Sequence, residues 1–512
     1  MKIKNMLCIF LAGLLLGGCE DLEETYADYA GDGAIRYVGR CSEISVNPGW
    51  ERLIVRWKNS PDVRVKKVKI VWTSDQVKDS VLLDPQKTEY NIEKLKEGNY
   101  EVKVFGVDEE GNESLTTPVF SRPYSSNHEA ILSFTRLIAK HYFVKDRLVC
   151  VFSTWSDEIE SAVLEYTKLG ENKTSFLNLD SDLVSKKFFL LRDPIDVTKS
   201  VVLHRKGRVA GCEDLITFQD YELLHNRFFT TDFKQLVRRW TGAMEISNEF
   251  IENTEVLEID YTMTSLEDIL NLPKLRKLVL GKNRFMKPEY IGSYNLSSRL
   301  HDLDVSLFAL DVANKFLGLK VECYGGQFLP KKDIDTNSIF GDARTSYITC
   351  IDEPSAVPGK DYLSTVGWEI SCVPVDDGAW NSFVENLIDG DETSCWQPES
   401  IWSARTHEIT VDMKELKKVS GVKIVQKSFN PESDKMSGLL LPGLLKIKIS
   451  EDNVVWRDAT YVEENIIGAT AGESTILNFI SVKDVRYLKF VVNDQLYGSN
   501  YSVALAELAV FL

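Results

Sequence analysis

From Ile44 onward, apolar and polar residues alternate with period two in short runs, each bounded by turn residues. Ile44/Val46 and Leu53/Val55/Trp57 flank Pro48-Gly49, Val68/Ile70/Trp72 follows, and Val102/Val104 closes the first group. Such alternation predicts half-buried strands, because successive side chains of a strand point to opposite faces of a sheet. Pro48-Gly49 is the expected turn between the first two. Ser121-Arg-Pro-Tyr-Ser-Ser-Asn127 reads as a polar linker, and Leu148/Cys150/Phe152 with Val163/Glu165/Tyr166 begin a second strand-rich stretch. Near the C-terminus Ile409/Val411, Val422/Ile424, Leu445/Ile447/Ile449 and Leu488/Phe490/Val492 repeat the pattern. Short strands spaced in this way predict a β-sandwich or jelly roll whose end loops carry function.

Between these stretches the period changes. Leu257-x-Ile259, Leu275-x-x-Leu278-x-Leu280-x-x-Asn283, Leu300-x-x-Leu303-x-Val305 and Phe316-x-x-Leu319-x-Val321 recur at intervals of roughly 16–25 residues, and the Leu275–Asn283 copy fits a leucine-rich-repeat pattern. Ser265 to Leu270 predicts a short helix, with Ser265 as N-cap and an acidic first turn. The expectation is a small unit of three or four coils over roughly residues 245–330, which cannot bury its own ends and should dock on its neighbours.

A chain of 512 residues is too long for one core, and roughly 100–200 residues per domain suggests three or four domains. The formal charge of −17 argues against a nucleic-acid partner, since phosphate binding needs a basic surface. At the N-terminus Lys2 and Lys4 precede an apolar run from Met6 to Leu16, and Leu16-Gly-Gly-Cys19 ends it. The run is too short to span a bilayer as a mature helix. It resembles a bacterial lipoprotein signal, which implies lipidation of Cys19 and attachment to a membrane. The acidic stretch Glu20-Asp-Leu-Glu-Glu24 resembles the surface-export signal of lipoproteins in glycan-degrading Gram-negative gut bacteria. An outer-membrane protein facing the exterior is therefore expected, with retention on the periplasmic face as the alternative. Seven cysteines remain after Cys8 and Cys19, an odd number whose spacings match neither a metal motif nor a dense disulfide framework. Most are expected to be small buried apolar residues.

Catalytic signatures are missing from the sequence: its six histidines are scattered, and there is no His-Glu-x-x-His, no Gly-x-Ser-x-Gly and no P-loop. The expectation is a non-catalytic protein. The most informative stretch is Asn386 to Trp396, where Asp389-Gly390-Asp391 signals a sharp turn followed by the Ser394 hydroxyl and the Trp396 indole.

The spacing Asp-Gly-Asp-x-x-Ser-x-Trp resembles the opening of a discoidin domain, also called the coagulation factor 5/8 type C domain. His407–Met413, Val419–Val425, Leu445–Trp456, Val485–Val492 and Ala504–Val510 continue the resemblance in order. It implies a structural Ca²⁺ held by Asp389, Asp391, Ser394 and Glu507 with backbone carbonyls, hard oxygen ligands that suit this ion. An Asp-Gly turn without metal is the alternative. Trp396 is assigned to the core under the loops. The loop positions implied for a sugar site need an aromatic plate and hydrogen-bonding partners. Trp380, Trp402 and Tyr497 are the candidates for the plate, with Arg405, Asn430 and Tyr501 as partners. Leu439-Leu-Leu-Pro442 departs from the sugar-binding pattern, being either a membrane-binding apolar spike or a loop packed on the leucine-rich unit. Closer to the N-terminus, Leu95-Lys-Glu-Gly-Asn-Tyr100 leading into Asp108-Glu-Glu-Gly-Asn-Glu-Ser114 resembles a fibronectin type III domain, with Trp57 and Tyr100 in its core.

The sequence thus predicts a mainly β, multidomain chain. It divides into a signal peptide over 1–18, an acidic tether over 19–35, a fibronectin III-like domain over 36–123, a degenerate second sandwich over 128–215, a leucine-rich-repeat-like region over 216–344 and a discoidin domain over 345–512. Its expected partners are a glycan ligand, a membrane through the lipid anchor and outer-membrane glycan-uptake proteins. The expected work is carbohydrate capture at the cell surface. The competing expectations are an adhesion or protein-interaction lipoprotein using the leucine-rich unit, and an accessory subunit of a glycosidase complex.

Overall fold

The computed structural model describes residues 37–75, 77–286, 298–351, 360–375, 383–428, 440–460 and 467–512. The chain is mainly β, with 43% strand and 13% helix. It divides into two units, one of Met1–Arg136, Trp155–Leu164 and Leu203–Tyr221, the other of Leu137–Thr154, Glu165–Val202 and Glu222–Leu512. Cys19 and the acidic tether lie outside the described residues, among which no helix is long and apolar enough to cross a membrane.

In the first unit, strands Ser42–Gly49, Arg52–Lys58 and Glu89–Ile92 form one antiparallel sheet. Lys78–Leu83, Lys67–Thr73, Tyr100–Val107 and Val119–Ser121 form the other. The alternating positions Leu53, Val55, Trp57, Val68, Ile70, Val102 and Val104 meet in a single core. Tyr100 is buried there, and its hydroxyl donates to the Lys96 carbonyl at 3.1 Å, a tie to backbone four residues upstream that fixes the entry to its strand. The first turn differs from expectation. Pro48 and Gly49 pair in the ladder with Leu53 and Arg52, and the chain reverses at Trp50-Glu51, where Glu51 has φ 51°. The stretch expected as a polar linker is also built in. Tyr124 exchanges backbone hydrogen bonds with Gly49 and Glu51 at 2.9 and 2.7 Å, and its hydroxyl donates to the Ala210 carbonyl. In the same unit Arg52 grips both oxygens of Asp214, at 2.9 and 2.6 Å.

The second unit begins with the antiparallel strands Ile138–Val144, Arg147–Phe152 and Phe188–Leu190. Tyr142, Val144 and Val149 from this sheet share a core with the region after Thr230. There, Val256–Ile259, Lys277–Leu280, Lys320–Tyr324 and Ile348–Ile351 make a four-stranded parallel sheet, with Leu257, Leu278, Val321 and Ile348 aligned in one buried row. The predicted short helix is a 3₁₀ turn over Glu267–Asn271. One expected coil is not a strand: Leu303 and Val305 lie in the helix Leu303–Leu317, capped by Asp302 and ended by Gly318 at φ 77°. Leu303, Leu307, Leu310 and Leu317 explain it, since a three-to-four-residue spacing continues the helical period past the triplet.

The C-terminal part is organised by two antiparallel strands of 21 residues each, Thr406–Gln426 and Glu473–Asn493. Sequence periodicity suggested shorter, separate strands. The pairing instead runs on through irregularities between Asp412 and Lys417 and between Val419 and Gly421, with Lys414 at φ 70°. Extra residues at such bulges bend and twist a strand. The first half of Thr406–Gln426 is therefore flanked by Glu369–Val373, and its second half by Leu505–Phe511. Between these layers lie Ile409, Val411, Val422, Ile447, Leu488, Phe490 and Trp396, all buried. Gly421 sits where the backbone of the paired strand passes close, and an added Cβ would lie 2.2 Å from the Leu477 carbonyl.

The parallel-sheet region and the C-terminal sheet are joined within this unit. Arg284–Met286 adds to Glu473–Asn493 as an antiparallel strand, pairing Arg284 with Thr475 and Met286 with Glu473. Arg284 Nε donates to Glu473 at 2.7 Å with both side chains buried, and a second Arg284 nitrogen donates to the Asp260 carbonyl at 3.2 Å. Gly468 leaves room for this pair, since a Cβ there would lie 1.9 Å from Glu473 Oε2. All seven cysteines among the described residues are free, and Cys41, Cys150, Cys323 and Cys372 are buried.

Candidate functional site

The turn that opens the C-terminal domain is a network of short-range polar contacts. Gly390 takes φ 80°, which leaves the Asp391 N–H donating to Asp389 Oδ1 at 2.8 Å. Asp391 in turn accepts from the Thr393 N–H and hydroxyl at 2.9 and 2.6 Å. The Ser394 hydroxyl lies 2.9 Å from both Asp389 Oδ2 and the Asp391 carbonyl. Immediately after it, Trp396 exchanges backbone hydrogen bonds with Leu505, joining this loop to the last strand. The indole is 2% exposed and meets the buried His407 ring edge to face at 5.1 Å, in the core position expected of it.

Glu507 comes up beneath this turn from the last strand. Its carboxyl group is buried, and Oε2 has no hydrogen-bond partner among the described residues. Burial, reinforced by the carboxylates of Asp389 and Glu392, pushes its pKa up to about 8 against the partly compensating Gly390 N–H and Lys423. The Lys423 ammonium is bound 2.6 Å from Glu392. Sequence reasoning missed both Glu392 and Lys423. An orphaned buried carboxylate oxygen beside Asp389 fits a hard cation. Among the described residues no three His, Cys, Asp or Glu side chains group tightly enough to hold a metal, so a cation here would take its other ligands from carbonyls and hydroxyls.

The raised pKa of Glu507 carries its own expected result. The folded carboxyl keeps a proton that the unfolded chain releases near 4.5, so its contribution to stability falls as pH rises from there to about 8. In metal-free buffer, denaturant midpoints of the full chain should decline across this window, and Glu507→Gln should flatten the decline. An identical pH profile for the variant would show that Glu507 does not hold the proton.

The candidate sugar loops lie where the long strands begin and end. Trp402 is 83% exposed. Its neighbour Ile401 exchanges backbone hydrogen bonds with Tyr501, and Tyr497 and Tyr501 lie on the paired strands Gln495–Tyr497 and Asn500–Ser502. Backbone pairing thus gathers Trp402, Tyr497 and Tyr501 into one loop cluster. Trp380 and Asn430 lie outside the described residues. Arg405 is turned inward: its N–H and Nε donate to Asp494 Oδ2 at 3.1 and 3.0 Å, and its guanidinium also donates to the Glu399 carbonyl. His407 Nε2 lies 2.8 Å from the other Asp494 oxygen. Burial alone would raise the Asp494 pKa, but His407 and Arg405 hold it below the ordinary value. Arg405 thus ties its loop to a buried carboxylate, and Asp494 was not singled out from the sequence as its partner. The described part of the apolar loop is packed as well. Leu439 lies outside the described residues, whereas Leu440 is buried and its carbonyl accepts from the Ala504 N–H at 2.7 Å. Leu440 is thus covered within the domain and does not project as a spike.

Comparison with known proteins bears on two parts of the chain. Residues 369–508 match the F5/8 type C domain, and residues 19–186 match a domain of unknown function. No curated protein matches the chain. Similar solved structures include CpGH89CBM32-5 from Clostridium perfringens in complex with GalNAc-β-1,3-galactose, at 16% identity over 30% of this chain and 100% of that one, TM-score 0.23. An F5/8 type C domain from Bacteroides fragilis is similar at 15% identity over 30% and 97%, TM-score 0.23. A two-domain fibronectin type III segment of chicken tenascin is similar at 10% identity over 36% and 99%, TM-score 0.18. The chain carries a C-terminal F5/8 type C, or discoidin, domain.

Proposed function

We propose that the chain is a non-catalytic, lipid-anchored protein of the outer membrane that captures carbohydrate through its C-terminal domain. The observation that carries the reading is Trp402, whose indole is almost wholly exposed on a loop pinned to the Tyr501 strand within a domain of the F5/8 type C family. An exposed indole held at both flanks is suited to the apolar face of a pyranose. Asp494, Arg405 and His407 would hold the loops. The lipid anchor rests on the Leu16-Gly-Gly-Cys19 pattern, and surface display rests on the acidic residues after it. Outer-membrane glycan-uptake proteins would be the partners that take over the captured glycan.

A Ca²⁺ beside Glu507, with Asp389 adding a carboxylate oxygen, Asp391 its carbonyl and Ser394 its hydroxyl, would be structural. It would neutralise the carboxylates that oppose one another there and leave the sugar to the loops. If so, saturating calcium stabilises the fold by about 2.7 kcal/mol at a hundredfold excess over Kd, most visibly from about pH 8 upward, where a proton no longer competes for Glu507.

A glycan array probed with the full chain tests the carbohydrate reading. Trp402→Ala should weaken a bound glycan at least about tenfold, or about 1.4 kcal/mol, without shifting thermal stability. Absence of binding to every glycan, together with capture of a purified protein partner, would favour the adhesion reading instead.

A further inference from the structure

A second cleft lies in the larger unit, away from the C-terminal loops. Its volume is about 680 Å³, within the range of roughly 300–1,000 Å³ common for small-molecule sites. The hairpin of Ile138–Val144 and Arg147–Phe152, the loop over residues 224–229 and the helices Thr231–Thr241 and Asn248–Asn253 surround it.

Aromatic rings line it beside the aliphatic Val197, Ile246 and Ile251. His225 lies flat on Phe143 with centroids 3.9 Å apart, Phe229 stacks on Phe233, and Phe228 is 64% exposed. The loop that carries them is tied down. His141 Nε2 lies 2.7 Å from the Leu224 carbonyl, Asn271 donates to the Phe228 carbonyl at 2.9 Å, and the Thr230 N–H donates to the buried Asp268 carboxylate at 3.1 Å. An aromatic exposed on so well-anchored a loop loses little freedom when a ligand covers it.

The charges of the lining oppose those of the whole chain. Lys145, Arg227 and Lys234 face a single lining carboxylate, Glu245, in a protein of net charge −17. Arg227 is paired with Glu252, whereas Lys145 and Lys234 are exposed and form no ion pair among the described residues. Lys145 is held at the hairpin turn at φ 56°. Unpaired ammonium groups in a concave surface concentrate an anionic ligand there, where the rest of the protein repels it. The Asn226 and Asn248 amides add donors and acceptors beside the rings.

We propose that this cleft is a binding site for an acidic saccharide, with sugar rings against Phe228 and His225 and a carboxylate or sulfate against Lys145 and Lys234. The site does not depend on the reading of the C-terminal loops. Isothermal titration of the full chain with an oligogalacturonate, a sulfated glycosaminoglycan oligosaccharide and a neutral galacto-oligosaccharide tests it. One or both acidic probes should bind, more weakly as salt rises, and the stronger arm identifies the acid. Lys145→Glu with Lys234→Glu should reduce that affinity at least tenfold at unchanged melting temperature. Phe228→Ala should weaken it, and Trp402→Ala should leave it intact. Failure of both acidic probes to bind, equal affinity after charge reversal, or loss of binding on Trp402→Ala alone would overturn the proposal.

Discussion

Arg284→Ala should destabilise the protein by about 3–5 kcal/mol, the usual cost of leaving one member of a buried ion pair without its partner. Glu473 is fully buried, and Arg284 is the cation that meets it, at 2.7 Å through Nε. Stability of an ordinary domain is only about 5–15 kcal/mol, so the loss should appear as a large drop in the denaturant midpoint of the full chain. Replacing both members, Arg284→Met with Glu473→Leu, should recover most of it, because apolar side chains of similar size need no counter-charge. A single variant costing less than about 1 kcal/mol would place the pair among surface ion pairs in strength.

Asp494→Ala should cost a comparable amount and should also impair the loops. The carboxylate is buried and receives Arg405 through two donors and His407 through a third contact, so its removal takes from both the charged acceptor they share. Arg405 and Glu399 would lose their tie to the end of the Glu473–Asn493 strand, and the Trp402 loop lies between them. The expected result is a stability loss of about 3–5 kcal/mol together with a fall in any glycan affinity. Asp494→Asn, which keeps the shape and one acceptor, should do less on both measures. Because the native state holds the Asp494 pKa below its ordinary value, its stabilising contribution is present above that value and is lost as pH falls through the folded pKa. Asp494→Asn should therefore shed some of the wild-type sensitivity to acid. Wild-type stability in Asp494→Ala would remove this cluster as the support of the loops.

Local signals in the sequence carried the elements that local physics determines. The alternation at Leu53/Val55/Trp57 and Leu445/Ile447/Ile449 located strands because one face of each is buried. Asp389-Gly390 located the turn because Gly accepts positive φ. Trp396 and Tyr100 were placed in cores. The helix Leu303–Leu317 was misread because Leu-x-x-Leu-x-Val satisfies both a repeat triplet and a helical face. The continuous strand Thr406–Gln426 was read as two, because bulges interrupt alternation without ending the pairing, and only the second half of Glu473–Asn493 was read as a strand. Contacts between distant residues left no local mark: Arg284 meets Glu473 across 189 positions, and Arg405 meets Asp494 across 89. Arg405 was named as a ligand residue from its loop position, which carries no sign of the buried carboxylate that holds it.

The added strand Arg284–Met286 also bears on solubility. It pairs with Glu473, Ser474 and Thr475 on the side away from Val425, Ile424 and Lys423. A fragment starting at residue 345 would leave that side without its neighbour, presenting a row of unsatisfied N–H and C=O groups to other copies. The three residues from the preceding region thus act as a guard against self-association. The fragment should be soluble only with the parallel-sheet region attached, and light scattering on the two lengths of chain would read the difference directly.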